Sequence, residues 1–203
     1  MECLDLLLRS NSILLWGNHD LAYLRQEPWW YLGNFSELTF QRQYERARDR
    51  IFAAYAVDGW LCTHAGVSPK LTRRMPTEVL AGGVETIAAW LNHEFKRELK
   101  VKNPHTHLGE SRYGYGPLFN IPVCRGGTDE FGGIFWFDAE GEQSQPSHLI
   151  RQIFGHTPGN RPQRGISIDL AGSGQSAPWI NIDTLKGSWL YDTKADALVE
   201  FTI

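Results

Sequence analysis

The stretch Ile13-Leu14-Leu15-Trp16-Gly17-Asn18-His19-Asp20 decides how this chain is read. Its four leading apolar residues follow the turn signal Ser10-Asn11-Ser12 and stop at a glycine, so the run is short and reads as a buried strand. The strand delivers Asn18 and His19 directly after Gly17, a residue type that permits a sharp turn and close backbone approach. The design recurs twice: Leu61-Cys62-Thr63 leads into His64-Ala65-Gly66, and Gln152-Ile153-Phe154 leads into Gly155-His156-Thr157-Pro158. Open α/β sheets gather their ligands at strand ends. A single histidine after a strand is ordinarily a hydrogen-bonded turn residue, but three of one design point to convergence on a metal ion. Imidazole nitrogen binds Zn, Mn, Fe and Co, and an amide oxygen suits the harder of these ions.

Outward from these motifs, residues 2–9 have helix-forming composition, and helical patterns are expected at 20–26 and 36–55. The mixed charges Arg42, Glu45, Arg46, Arg48, Asp49 and Arg50 read as a solvated helix face. A long helix is expected over 77–100, with a break at Gly82-Gly83, and an extended loop over 101–132. Ile134–Phe137 is a strand candidate. Further strands at 149–154, 165–169, 179–182, 187–191 and 197–202, separated by Gly, Pro, Asn and Asp, predict an antiparallel last third.

The chain has 203 residues, enough for one domain with a sizeable core, and it shows no internal repeat or linker. With 20 basic and 23 acidic residues the net charge is −3, which argues against nucleic acid or an anionic membrane as a general partner. The start Glu2-Cys3-Leu4-Asp5 has no basic region of a signal peptide, and no apolar run reaches a membrane span of about 18 residues. Cys3, Cys62 and Cys124 stand far apart without a CxxC pair, as free, mostly buried thiols in a reducing compartment would. The expected location is cytoplasmic.

The ordered series Gly17-Asn18-His19-Asp20, His64-Ala65-Gly66 and Gly155-His156-Thr157-Pro158 resembles the calcineurin-like metallophosphoesterases. More narrowly it is similar to the branch holding phosphoprotein phosphatases and bacterial diadenosine tetraphosphate hydrolases. Leu21, Leu24 and Val67-Ser68-Pro69 lean toward the hydrolases, and Trp16 stands where the protein phosphatases usually carry a phosphate-gripping arginine. The resemblance implies an α/β fold, a β-sandwich flanked by helices. It implies hydrolysis of phosphate esters or anhydrides in a protein, nucleotide or small molecule. By it, Asn18, His64 and His156 match ligands of the second ion of a dinuclear site, and His19 matches the general acid. Asp183 is read as a turn or supporting residue. In such chemistry two ions clamp the attacking and leaving oxygens and lower the pKa of the bridging water, and a histidine protonates the leaving alkoxide. Mn, Fe, Zn, Co and Ni all suit the donors.

The family carries two earlier motifs, D-x-H and G-D-x-x-D-R-G, which supply the first ion's ligands, the bridging aspartate, the carboxylate that orients the catalytic histidine and a phosphate-binding arginine. This sequence contains no Asp-x-His and no Gly-Asp pair. The expectation that follows is an N-terminally truncated, C-terminal portion of the domain over residues 1–203, short of at least one βαβ unit, roughly 30 residues or more. One weakly held ion, slow hydrolysis and an uncovered apolar edge at residues 13–16 go with it. That edge would favour self-association or a complementing chain. The alternatives to an impaired hydrolase are a non-catalytic relative that binds metal or phosphate, and half of a split enzyme.

Arg125, Arg161 and Arg164 are candidate phosphate contacts, because guanidinium binds phosphate bidentately. His105-Thr106-His107, His93 and His148 read as solvated or internally satisfied histidines. Gly172-Ser173-Gly174 is a turn, being too short for a phosphate-binding fingerprint.

Overall fold

A computed structural model describes residues 2–25, 38–104 and 112–201. Helix α1 (Glu2–Arg9) ends where the Ser10 hydroxyl donates to the Leu7 carbonyl at 2.6 Å. Strand β1 (Leu14–Leu15) and helices α2 (Asn18–Leu24) and α3 (Leu38–Ala47) follow. The helix expected over 36–55 stops at Ala47, and β2 (Ile51–Phe52) and β3 (Ala54–Val57) replace its second half. Asp58 and Gly59 are the cause. Both take positive φ, 47° and 73°, as a two-residue hairpin turn requires and an Asp-Gly pair readily supplies. The turn sets Val57 opposite Trp60, so β3 pairs antiparallel with β4 (Trp60–Thr63).

Helices α4 (Pro69–Thr72), α5 (Thr77–Ala81) and α6 (Gly83–Glu98) come next, with the break at Gly82-Gly83 that the sequence suggests. The loop beyond carries 3₁₀ turns at Pro117–Phe119 and Val123–Arg125. The expected strand at 134–137 does not form. The N–H groups of Trp136 and Phe137 both donate to the Gly133 carbonyl, and the resulting turn buries Ile134, Phe135 and Phe137. An apolar run alone does not separate a strand from a buried turn.

The remaining strands are β5 (Gln152–Phe154), β6 (Gln163–Ile168), β7 (Ser176–Asn181), β8 (Ser188–Asp192) and β9 (Ala197–Phe201). Five strands form one mixed sheet in the order β3-β4-β5-β7-β6. The last third is therefore not purely antiparallel: β5 lies parallel to both β4 and β7, and only β6–β7 and β8–β9 run antiparallel. Strands β1 and β2 make a short parallel ladder. The architecture is mixed α/β.

One face of the sheet is covered by α6 and the loop beyond it, with Leu61, Val67, Ile87, Leu91, Phe95 and Phe135 in a common core. Trp16 is fully buried there, against Tyr44 and Phe95. The Asn92 carboxamide fastens α6 to the sheet: its Oδ1 accepts the Ala53 N–H at 2.8 Å and its Nδ2 donates to the Ala54 carbonyl at 2.7 Å. The opposite face holds a smaller cluster of Trp60, Ile153 and Ile180, with Tyr191 of β8 edge-on to Trp60. Beside that cluster a groove of about 680 Å³ opens, its walls including Ile13, Leu15, Tyr55, Val57 and Ile153. Among the described residues no helix is long and apolar enough to cross a membrane. Cys62 is half-buried and Cys124 is exposed, and both are free thiols; burial pushes Cys62 up to about 11.

Gln152 is the polar fastener of the sheet's centre. Its side chain is fully buried; Oε1 accepts the Val67 N–H at 2.7 Å and Nε2 donates to the Val67 carbonyl at 3.2 Å. Gln152→Leu leaves the Val67 N–H without its acceptor, while the Val67 carbonyl keeps the Ser147 N–H at 2.8 Å, so unfolding free energy in urea should fall by about 1–3 kcal/mol. An unchanged midpoint would show that the pair is dispensable.

Glu98, only 3% exposed, accepts the Leu118 N–H at 3.0 Å, and burial pushes its carboxyl up to about 7. A carboxyl raised in the fold above its unfolded value contributes stability that is complete below about pH 4.5 and is lost as pH rises through about 7. The swing corresponds to about 3 kcal/mol. Glu98→Gln should flatten this part of the stability–pH curve relative to the parent, as urea titrations at pH 5 and pH 8 would report.

Candidate functional site

Three chain segments meet at the ends of β1, β4 and β5. Trp16 donates its N–H to the Phe52 carbonyl at 2.9 Å, which fixes where β1 ends and Gly17 begins. Gly17 sits hard against the site: a Cβ there would stand 3.1 Å from Asp20 Oδ2 and 3.2 Å from the His64 ring. Asp20 reaches back to accept the Gly17 N–H at 3.0 Å, and its other oxygen accepts the Tyr44 hydroxyl at 2.7 Å. An acid three residues into a helix that returns to the N-terminal amide is half of a capping box. Asp20 thereby fixes the start of α2 and ties it to α3. Neither role was apparent from Gly-Asn-His-Asp read as a site motif, although the acid in the helix's first turn was the available signal.

His64 follows β4, and the Gly155 N–H donates to its carbonyl at 2.8 Å, so the second and third motifs are tied through the backbone. His64 Nε2 lies 2.9 Å from Asn18 Oδ1 and 3.1 Å from His156 Nδ1. The two rings meet edge to face with centroids 4.9 Å apart. The structure thus brings Asn18, His64 and His156 together. Asn18 is buried, and the two imidazoles are half-buried. Burial is the main cause that pushes His64 down to about 4 and His156 down to about 3. Both rings are therefore neutral at neutral pH and carry lone pairs.

These donors suit a metal in one respect and fall short in another. Donors in neighbouring positions around one ion, with bonds of about 2.1 Å, stand about 3.0–3.4 Å apart. The His64–His156 separation of 3.1 Å lies within that range and the Asn18–His64 separation of 2.9 Å just below it. In the hydrogen-bonded arrangement, one of the facing ring nitrogens carries a proton. The donor set of Asn18, His64 and His156 is uncharged, and among the described residues no group of three or more His, Cys, Asp and Glu side chains is gathered as a metal site.

His19 sits at the start of α2, exposed, and near enough that its charge depresses both His64 and His156. Asp183 lines the groove together with His64 and His156, and its negative charge favours protonation of His64. Its own N–H donates to Asn181 Oδ1 at 3.0 Å, as suits a turn residue. Of the three candidate arginines, only Arg125 is linked to a site motif, donating to Thr157 Oγ1 at 2.7 Å. Arg164 pairs instead with Asp196 at 2.5 Å, and Arg161 is exposed on the loop between β5 and β6. His148 faces Asp169 at 4.0 Å, and His105 and His107 lie outside the described residues. Trp136 stands edge-on to the His156 ring with centroids 5.6 Å apart, a contact that its place in the apolar run Ile134–Phe137 does not signal.

Comparison with known proteins finds no matching family model, no matching curated protein and no matching solved structure. The geometry at α2 generates a prediction of its own. Asp20→Ala removes the acceptor of both the Gly17 amide and the Tyr44 hydroxyl, and should cost about 1–2 kcal/mol of stability. Tyr44→Phe should cost less, since the amide keeps its acceptor; equal losses in the two variants would overturn this ranking.

Proposed function

We propose that this chain is a metal-dependent phosphoester or phosphoanhydride hydrolase of the calcineurin-like metallophosphoesterase type, with the sandwich fold that type carries. The observation that carries the reading is the meeting of Asn18 Oδ1 and His156 Nδ1 on His64 Nε2, at 2.9 and 3.1 Å, from three motifs distant in sequence. Asn18, His64 and His156 would hold one divalent ion, Mn, Fe, Zn, Co or Ni, which supplies Lewis acidity and a water of lowered pKa. Neutral imidazoles and an amide oxygen hold a divalent cation less firmly than a set containing carboxylates. His19 donates the proton that the leaving alkoxide needs. Its exposure leaves the ring accessible to a substrate arriving from solvent.

A second reading draws on the groove. Its apolar wall reaches from Ile13 and Leu15 to Ile153 and ends at His64, His156 and Asp183. A second polypeptide seated there would cover apolar surface and could add anionic ligands to the same site.

The test is hydrolysis of p-nitrophenyl phosphate with and without Mn²⁺, beside calorimetric titration of the ion. The expected outcome is one ion per chain and slow, Mn²⁺-dependent turnover that is abolished in Asn18→Ala and His64→Ala. His19→Ala should lower turnover by about 100-fold while ion binding persists. Turnover indifferent to chelator, or retained in His64→Ala, sinks the proposal. Two tightly bound ions would overturn the one-ion site.

A further inference from the structure

His156 takes a left-handed backbone conformation. Its φ is +74°, a region uncommon for residues other than glycine, although Asn, Asp and His enter it more often than the rest. Such a conformation persists when the surroundings over-determine it. The residue that follows is gripped at two atoms: Asn181 Nδ2 donates to the Thr157 carbonyl at 2.8 Å, and Arg125 Nη2 donates to Thr157 Oγ1 at 2.7 Å. Asn181 belongs to β7, so its grip comes with the sheet. Arg125 comes from elsewhere, the 3₁₀ turn Val123–Arg125 in the long loop.

Arg125 is itself anchored. Its Nε lies 2.9 Å from Asp138 Oδ2, in ion-pair contact although without the alignment of a hydrogen bond. Asp138 Oδ1 in turn accepts the Gly141 N–H at 3.0 Å. The arginine side chain is 27% exposed and the aspartate 12%, so the pair is shielded in part from water. Two residues before Asp138, Trp136 presses edge-on against the His156 ring. The loop therefore touches the histidine turn at two places, through the Trp136 ring and through the chain Asp138–Arg125–Thr157. A planar guanidinium holds its donors toward a hydroxyl and a carboxylate in a rigid fork, whereas an ammonium is a compact charge on a flexible stem and fixes neither direction.

We propose that Arg125 is a positioning residue of the candidate site: anchored by Asp138 and acting through Thr157, it sets the His156 turn so that Nδ1 faces His64 Nε2. The effect on ion binding rests on the hydrolase reading above; the effect on the ring does not.

The experiment uses the whole chain without added metal. Imidazole nitrogens are observed by long-range ¹H–¹⁵N correlation, and ring-to-ring NOEs between His64 and His156 are measured in the parent, Arg125→Met, Arg125→Lys and Thr157→Val. Arg125→Met and Thr157→Val should each lose the His64–His156 NOEs and shift the His156 nitrogens, while His93 and His148 keep theirs. Arg125→Lys should behave as Arg125→Met. Parental His156 signals in Arg125→Met, or their full recovery in Arg125→Lys, overturn the proposal. If Arg125→Met does not fold, Thr157→Val decides by the same signals, since it removes only the hydroxyl that receives the arginine. Mn²⁺ titration of the same variants should show affinity weakened about tenfold. A parent that binds no Mn²⁺ sinks the hydrolase reading and leaves the ring measurement to judge Arg125.

Discussion

The buried carboxamide of Gln152 governs how the three motifs meet. From strand β5 it bonds both the N–H and the carbonyl of Val67, beside the Phe154 ring that packs on Gly66. A buried amide so completely paired fixes register more sharply than apolar packing, because any slip leaves donors and acceptors unmatched. With Val67 held, the segment from His64 to Ser68 has one course, and the Gly155 N–H finds the His64 carbonyl. Sheet register thus brings the two imidazoles within reach of one another. The loop that carries Arg125 then acts on the His156 turn through Thr157.

Much of this was legible in the sequence, for reasons that can be named. Short apolar runs bounded by Gly and Ser mark β1, β4 and β5, and the three runs end where the structure brings Asn18, His64 and His156 into contact. The Gly82-Gly83 break was legible because glycine opposes helix continuation. Other features were not legible for equally physical reasons. Charges at Arg42–Arg50 favour extending α3, yet the Asp58-Gly59 turn commands the residues before it, and a local turn outweighs a weak helical pattern. Ile134–Phe137 has the composition of a strand, but two amides turned onto Gly133 make it a buried corner. Gln152 and Asn92 gave no sign at all, since a polar residue announces a buried role only through partners distant in sequence.

Charge is distributed around the site in a way that the motifs do not reveal. The inner donors are neutral, and the acidic and basic side chains stand one step back: Asp20 in the first turn of α2, Asp183 at the groove, and Asp138 with Arg125 behind Thr157. Asp20 and the Asp138–Arg125 pair are each committed to a backbone amide, a hydroxyl or one another, so they shape the field at the imidazoles without being available as first contacts. The rim is therefore built for holding side chains in place, and chemistry falls to the residues it holds.

The pairing of Leu61 with Gln152 has a kinetic consequence. The hairpin β3–β4 and the helix α6 packed on it close over short stretches of chain, whereas joining β4 to β5 requires the whole intervening loop to be gathered. Closure entropy grows with the length enclosed, and contacts between distant residues slow folding. His64 is thus expected to reach its place in an early nucleus and His156 to arrive late. A chain caught between those moments would hold an ordered hairpin and helix yet have no site, so the candidate site reports completion of the fold.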